Sequence, residues 1–187
     1  MTAIVGIAGS LRRKSFNLGL LKAAAEIVPT GVSFDVRTID AIPLYNADVE
    51  AAEGLPPAVA ALKDAIAAAD GVILSTPEYN NGIPGVFKNA IDWASRPAED
   101  IGRVFGGKPV ALIGASPGGF GTILAQDAWL AVLRTLGMRP WFEGRLMVSR
   151  AGGLFDADGT LADEAMRTRL RDFVAGFASF IEGRSKK

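Results

Sequence analysis

The chain has 187 residues, 49% of them hydrophobic and 21% charged, which suits one domain with a sizeable core. Twenty basic residues balance twenty acidic ones, and so neutral a total argues against a partner gripped through its phosphodiester backbone. Neither Cys nor His occurs, which excludes thiol nucleophiles, disulfides, thiolate or histidine metal sites and histidine acid–base catalysis.

The chain opens on an apolar run, Ala3 to Ala8, with no basic residue before it and Gly9-Ser10 after it. That is too short for a signal segment or a bilayer span, and no later run approaches the roughly 18 apolar residues a span needs. The expectation is a cytoplasmic protein without membrane insertion. Continuous apolar character over a few residues predicts a strand covered on both faces, and Gly71 to Leu74 and Val110 to Ile113 repeat the pattern.

After the first strand comes Gly9-Ser10-Leu11-Arg12-Arg13-Lys14-Ser15-Phe16-Asn17 and then a helical stripe of Leu18, Leu21, Ala25 and Val28. Val32 to Ile39 alternates instead, with Val32, Phe34, Val36 and Thr38 on one face, as in a half-exposed edge strand. Pro56-Pro57 opens a helix with Val59, Leu62, Ile66 and Ala69 inward and Lys63 and Asp64 outward. Pro84 opens another, carrying Val86, Phe87, Ala90, Ile91 and Ala94. Gln126 to Leu136 carries Leu130, Leu133 and Leu136, and a weak fifth strand is predicted over Trp141 to Val148, interrupted by Gly144. A last helix starts near Leu161 and presents Met166, Leu170, Phe173, Phe177 and Ile181.

Alternating strands and helices predict an α/β fold of three layers. An edge second strand points to a doubly wound, five-stranded parallel sheet of flavodoxin-like order 2-1-3-4-5, with helices on both faces. Residues 1–182 form the single domain and 183–187 a frayed tail. In such a sheet ligands sit beyond the C-terminal strand ends, so the loops at 9–17, 75–83 and 115–122 carry the candidate site.

The first loop offers Ser10, Ser15, Asn17 and the cations Arg12, Arg13 and Lys14 just before a helix N-terminus, where orphan N–H groups favour an anion. It is no dinucleotide fingerprint, since the positions after Gly6 that would be glycine are Ala8 and Leu11, and it ends in no G-K-[ST]. The segment also reads as a polar loop in which Ser15 or Asn17 caps the helix and the cations are solvated. Ser75 to Gly85 is rich in Asn, Gly and Pro and reads equally as a turn or as backbone presented to the edge of a heterocycle. Ala115 to Thr122 holds three glycines that permit close approach to a flat ligand.

Two motifs taken together, Gly9-Ser10-Leu11-Arg12-x-x-Ser15-Phe16-Asn17 and Pro77-Glu78-Tyr79-Asn80-x-x-x-Pro84-Gly85-x-x-Lys88-Asn89-Ala90-Ile91-Asp92-Trp93, resemble the NADPH-dependent FMN reductase family. The likeness is greatest to its bacterial quinone, chromate and azo-dye reducing branch. It extends over essentially the whole chain, including Ile42-Pro43-Leu44-Tyr45. The resemblance implies noncovalent FMN. It puts Ser10, Arg12, Ser15, Phe16 and Asn17 around the phosphate. Pro77, Glu78, Tyr79, Asn80 and Gly82 lie along the isoalloxazine, with Ser116, Pro117, Gly118 and Gly119 at its other edge. It implies an NAD(P)H oxidoreductase, with NADPH or NADH as donor and a quinone, azo compound, chromate or similar small molecule as acceptor. It requires no metal and no protein nucleophile, and it implies a homodimer or homotetramer. The alternative is a flavodoxin-type electron carrier without reductase activity, against which the neutral charge speaks. The chain departs from the branch at Asn81, where an aromatic is usual, and at Leu124, where an Arg is usual. Tyr79, Trp93 and Phe120 are expected near the surface beside the site, as a patch that a second copy covers.

Overall fold

The computed structural model describes residues 1–185. Its centre is three parallel strands, β1 (Thr2–Ala8), β3 (Gly71–Ser75) and β4 (Pro109–Ala115), buried almost throughout. β2 (Val32–Arg37) pairs with the outer side of β1 and is only half-buried, as its alternation predicts. The sheet order is β2-β1-β3-β4-β5, the flavodoxin-like arrangement. The predicted fifth strand is broken in two. β5 (Arg139–Pro140) and β6 (Leu146–Val148) both pair in parallel with β4. Between them the chain bulges at Gly144, where the Trp141 ring lies so close that a Cβ would meet it at 2.2 Å. The sheet therefore has six strand segments rather than five.

Neighbouring residues of each central strand feed opposite faces, because side chains alternate. Ile73 packs with Leu20 and Leu21 of α1 (Phe16–Glu26) and Phe177 of α7 (Glu164–Ser185). Leu74 packs with Ile66 of α3 (Pro57–Ala68), Phe87 of α4 (Gly85–Ala94) and Trp129 of α6 (Ile123–Thr135). α6 starts three residues before the predicted Gln126, and its deepest side chain is Trp129 rather than Leu130. Two short helices were not foreseen, α2 (Ala47–Glu53) and α5 (Ile101–Val104). α7 runs on to Ser185, so the tail predicted from 183 is helical as far as it is described, and 186–187 lie outside the described residues.

Two further expectations fail. Lys63 does not face outward. It is 1% exposed, its ammonium 2.8 Å from Asp100 and donating to the Arg96 carbonyl. Asp100 is also gripped by Arg103, and the two cations hold its carboxyl well below the usual range. Trp93 is wholly buried, its Nε1–H given to the Pro43 carbonyl at 2.9 Å. The same carbonyl takes Asn89 Nδ2–H, and Asn89 Oδ1 accepts the Tyr45 N–H, so the 42–45 segment is docked on α4.

Candidate active site

The C-terminal ends of β1, β3 and β4 lie side by side, with Ala8 opposite Ser75 and Ser75 opposite Ile113. The three loops leave from there. Gly9 starts the first by donating its N–H to the Ser75 carbonyl at 2.9 Å, and a Cβ on it would strike the Phe87 ring at 2.1 Å. A cleft of about 250 Å³ opens between the loops, lined by Ser10, Arg12, Ser15, Phe16, Asn17, Pro77, Glu78, Tyr79, Ala115, Ser116 and Pro117. Ten of the predicted site residues therefore converge, and Ala115 joins them unforeseen. Asn80, Gly82, Gly118 and Gly119 do not line it.

Within the first loop most polar side chains are already engaged. Ser15 is the N-cap of α1, its Oγ accepting the Asn17 N–H at 3.2 Å. Asn17 is 3% exposed and bridges two strand ends: its Nδ2–H goes to the Ala115 carbonyl, its Oδ1 takes the Ala115 N–H, and Ser75 Oγ–H reaches its carbonyl oxygens. Ser10 Oγ accepts the Arg12 N–H, and the Ser15 N–H closes a turn on the Arg12 carbonyl. What remains for an anion is the Ser10 and Ser15 O–H groups, whose oxygens only accept here, the Phe16 and Leu18 N–H pair at the helix start, without a partner among the described residues, and the Arg12 guanidinium. Arg12 makes no ion pair among the described residues and rests 5.0 Å from the Phe16 ring centroid. Lys14, by contrast, is paired with Asp158 at 2.9 Å.

The second loop is a two-residue hairpin. Tyr79 and Gly82 exchange N–H···O bonds of 3.1 and 3.2 Å around Asn80 and Asn81, both at positive φ, +50° and +63°. That is the geometry of a type I′ turn, whose left-handed positions favour Asn. The Gly82 N–H is consumed by the turn, so among the tip residues Asn80 and Asn81 keep their N–H groups. Glu78 is tied elsewhere: one carboxylate oxygen accepts the Leu124 and Ala125 N–H groups at 2.9 and 3.0 Å, capping α6. The ordinary cap position, Thr122, is left-handed and offers no side-chain bond. Leu124 thus enters the site region through its backbone.

In the third loop the Ser116 N–H goes to the Val148 carbonyl, while the Ser116 and Gly118 carbonyls take the Ala151 and Arg150 N–H groups. The 148–151 segment braces this loop, a contact no local motif announces. A second cleft of about 250 Å³ lies between α6 and the split edge, lined by Leu112, Leu130, Trp141, Phe142 and Met147 among others. It takes in the first residue of α6, Ile123, but no residue of the first or second loop.

Residues 2–153 match the model of a family described as NADPH-dependent FMN reductase. The chain is 47% identical over 168 residues to a Pseudomonas aeruginosa NAD(P)H-dependent FMN reductase, covering 90% of this chain and 89% of that one. It is 39% identical over 181 residues to a 2-hydroxy-1,4-benzoquinone reductase from Burkholderia sp, covering 97% of each. Among solved structures it superposes on FerB, a flavoenzyme NAD(P)H:(acceptor) oxidoreductase from Paracoccus denitrificans, with a TM-score of 0.84, 36% identity and 98% of each chain covered.

Proposed function

The chain belongs to the NADPH-dependent FMN reductase family and is an FMN-dependent NAD(P)H oxidoreductase, and we propose from its cleft that quinones and similar small acceptors receive the electrons. The observation that carries this reading is the pairing of a free anion site with a flat wall. The first has, among the described residues, helix-start donors without a partner and an Arg12 without an ion pair; the second is lined by Pro77, Tyr79, Ser116 and Pro117. That donor set fits a single phosphate followed by a planar ring. Bound FMN would supply the redox chemistry between the nicotinamide and the acceptor.

The chain's own residues bind and orient. Arg12 and the Phe16 and Leu18 N–H groups hold the phosphate. Ser10 and Ser15 add their O–H groups, since each hydroxyl accepts a bond within the loop and keeps its hydrogen, while Asn17 serves through the backbone it fixes. Outside the cleft lining, Asn80 and Asn81 at the turn tip and Gly118 and Gly119 in the third loop keep N–H groups for the edge of a ring that projects beyond the cleft. Exposed Tyr79 (51%) and Phe120 (77%) flank the cleft mouth with Leu124 (44%), which supports a working homodimer or homotetramer. No helix among the described residues is long and apolar enough to cross a membrane, and a Cys-free chain suits the cytoplasm.

Released flavin identified by chromatography, then stopped-flow reduction with NADPH and NADH and an acceptor panel, tests the reading. FMN and quinone turnover are expected; FAD, or flavin not reduced by either nucleotide, refutes it. With neither His nor Cys, no side chain has an ordinary pKa between about 5 and 8. Flavin reduction at saturating NADH is therefore expected to vary less than about twofold from pH 5.5 to 8.

A further inference from the structure

The loop that carries Arg12 rests on a part of the chain outside the three switch-point loops. Residues 155–161 form a tight hairpin closed by an antiparallel bridge between Phe155 and Leu161. Asp156 sets its turn: Oδ1 accepts the Asp158 and Thr160 N–H groups, both at 2.9 Å, while the Gly159 N–H reaches the Asp156 carbonyl. Three contacts join this hairpin to the first loop. Lys14 Nζ donates to the Ala157 carbonyl at 3.1 Å and pairs with Asp158 at 2.9 Å. The Phe155 ring, 8% exposed, lies 4.9 Å from Phe16, the ring on which the Arg12 guanidinium rests. Gly159, at φ +83°, sits against the Lys14 backbone, where a Cβ would come to 3.1 Å. No residue of the hairpin lines the cleft.

We infer that the 155–161 hairpin is a positioning element for the anion loop, aiming Arg12 at the cofactor phosphate through Phe155 and Phe16 and locking the loop backbone through Lys14. The inference rests on the proposed assignment of Arg12 to that phosphate. Its physical basis is preorganisation. A solvent-free-swinging arginine gives up rotamer freedom when it binds, and one already laid on a fixed ring gives up less. The Lys14–Asp158 pair is exposed and weak by itself. Its effect comes from the second bond to Ala157 and from the backbone contact at Gly159, which salt does not screen.

The test compares FMN and riboflavin affinity of the full chain stripped of flavin, by fluorescence titration, with thermal melting alongside. The variants are Phe155→Leu, which keeps most of the buried volume; Lys14→Met, a surface change that leaves the core alone; and Arg12→Ala. Both hairpin-contact variants are expected to weaken FMN by roughly tenfold, about one charged hydrogen bond, while riboflavin changes less than about twofold. Lys14→Arg is expected to restore FMN affinity. Equal losses for both flavins, or no FMN loss in the well-folded Lys14→Met chain, overturn the positioning role. The Arg12→Ala arm separates the two claims: if it leaves the FMN advantage over riboflavin intact, the phosphate assignment itself fails, and with it any positioning of Arg12. If it removes the advantage while the hairpin variants keep it, only the hairpin's role falls.

Discussion

The first and second switch-point loops meet at one cleft and are built by opposite means. In the first, side chains are anchored inward: Ser15 caps a helix, Asn17 joins two strand ends and Lys14 is tied to a distant hairpin, which leaves Arg12, the Ser10 and Ser15 O–H groups and bare N–H groups for the cleft. In the second, the base at Ser75 and Thr76 is bonded to its neighbours, while the tip is a two-residue turn with exposed Asn80 and Asn81, beside which the Glu78 carboxylate holds the start of α6. The difference follows from what each would hold. A phosphate is a compact charge that rewards donors fixed in place. The edge of a ring is matched by backbone amides, which a small strained turn can present without further support.

Substitutions rank the two constructions. The largest effect is expected at Asn17→Ala, which leaves the Ala115 N–H and carbonyl unpartnered in the interior and costs about 2–4 kcal/mol of unfolding free energy. Denaturant unfolding measures it, and a loss under about 1 kcal/mol would mean the strand-end bridge does not hold the first loop. Glu78→Ala comes next, at about 1 kcal/mol, since it strips the Leu124 and Ala125 N–H groups at the start of α6 of their acceptor. Hydrogen exchange of the Leu124 and Ala125 amides should speed up in that variant, while Glu78→Gln, which keeps an acceptor oxygen, should cost about half as much. Unchanged exchange would show that the second loop is not tied to the third.

Asn81→Ala is a smaller change, about 0.5–1 kcal/mol, because alanine is strained at φ +63°. Asn81→Gly should fall within about 0.5 kcal/mol of the parent chain, and equal losses in the two would deny the type I′ constraint. The smallest effect is the acid response of the hairpin that backs the first loop. N–H groups led by that of Thr160 hold the Asp156 carboxyl below its ordinary value of 3.8. A carboxyl lowered in the folded state stabilises fully above its unfolded pKa and loses that contribution as pH falls through the folded value. Melting temperature should therefore drop below about pH 4, more shallowly in Asp156→Asn. A parallel drop in both chains would place the acid sensitivity elsewhere, with Asp100 next in line, since Arg103 and Lys63 lower it too.

Much of the site was legible because its residues are local. Ser10, Arg12, Ser15, Phe16 and Asn17 lie within eight consecutive residues, and the strand-then-helix pattern around them says where they stand. The roles within that list were not legible. Nothing in Pro77-Glu78-Tyr79-Asn80 announces that Glu78 turns away to cap α6 from 46 residues off, or that Tyr79 and Gly82 bond to each other. Nor does the first loop announce that Lys14 bonds Asp158, 144 positions away.

Taken alone, the sequence determined the layer order, the central strands, the edge character of β2 and the exclusion of thiol and imidazole chemistry, since each depends on residue type and short-range period. Tertiary structure decided which polar groups are spent and which are free. Lys63 reads as a surface lysine by its place on α3 and is buried because Asp100 and the Arg96 carbonyl happen to meet it. Trp93 reads as a partly exposed aromatic and is buried because Pro43 supplies an acceptor. The physical reason is common to both: a period reports which face of an element is apolar, whereas satisfying a buried donor depends on what another part of the chain brings within about 3 Å.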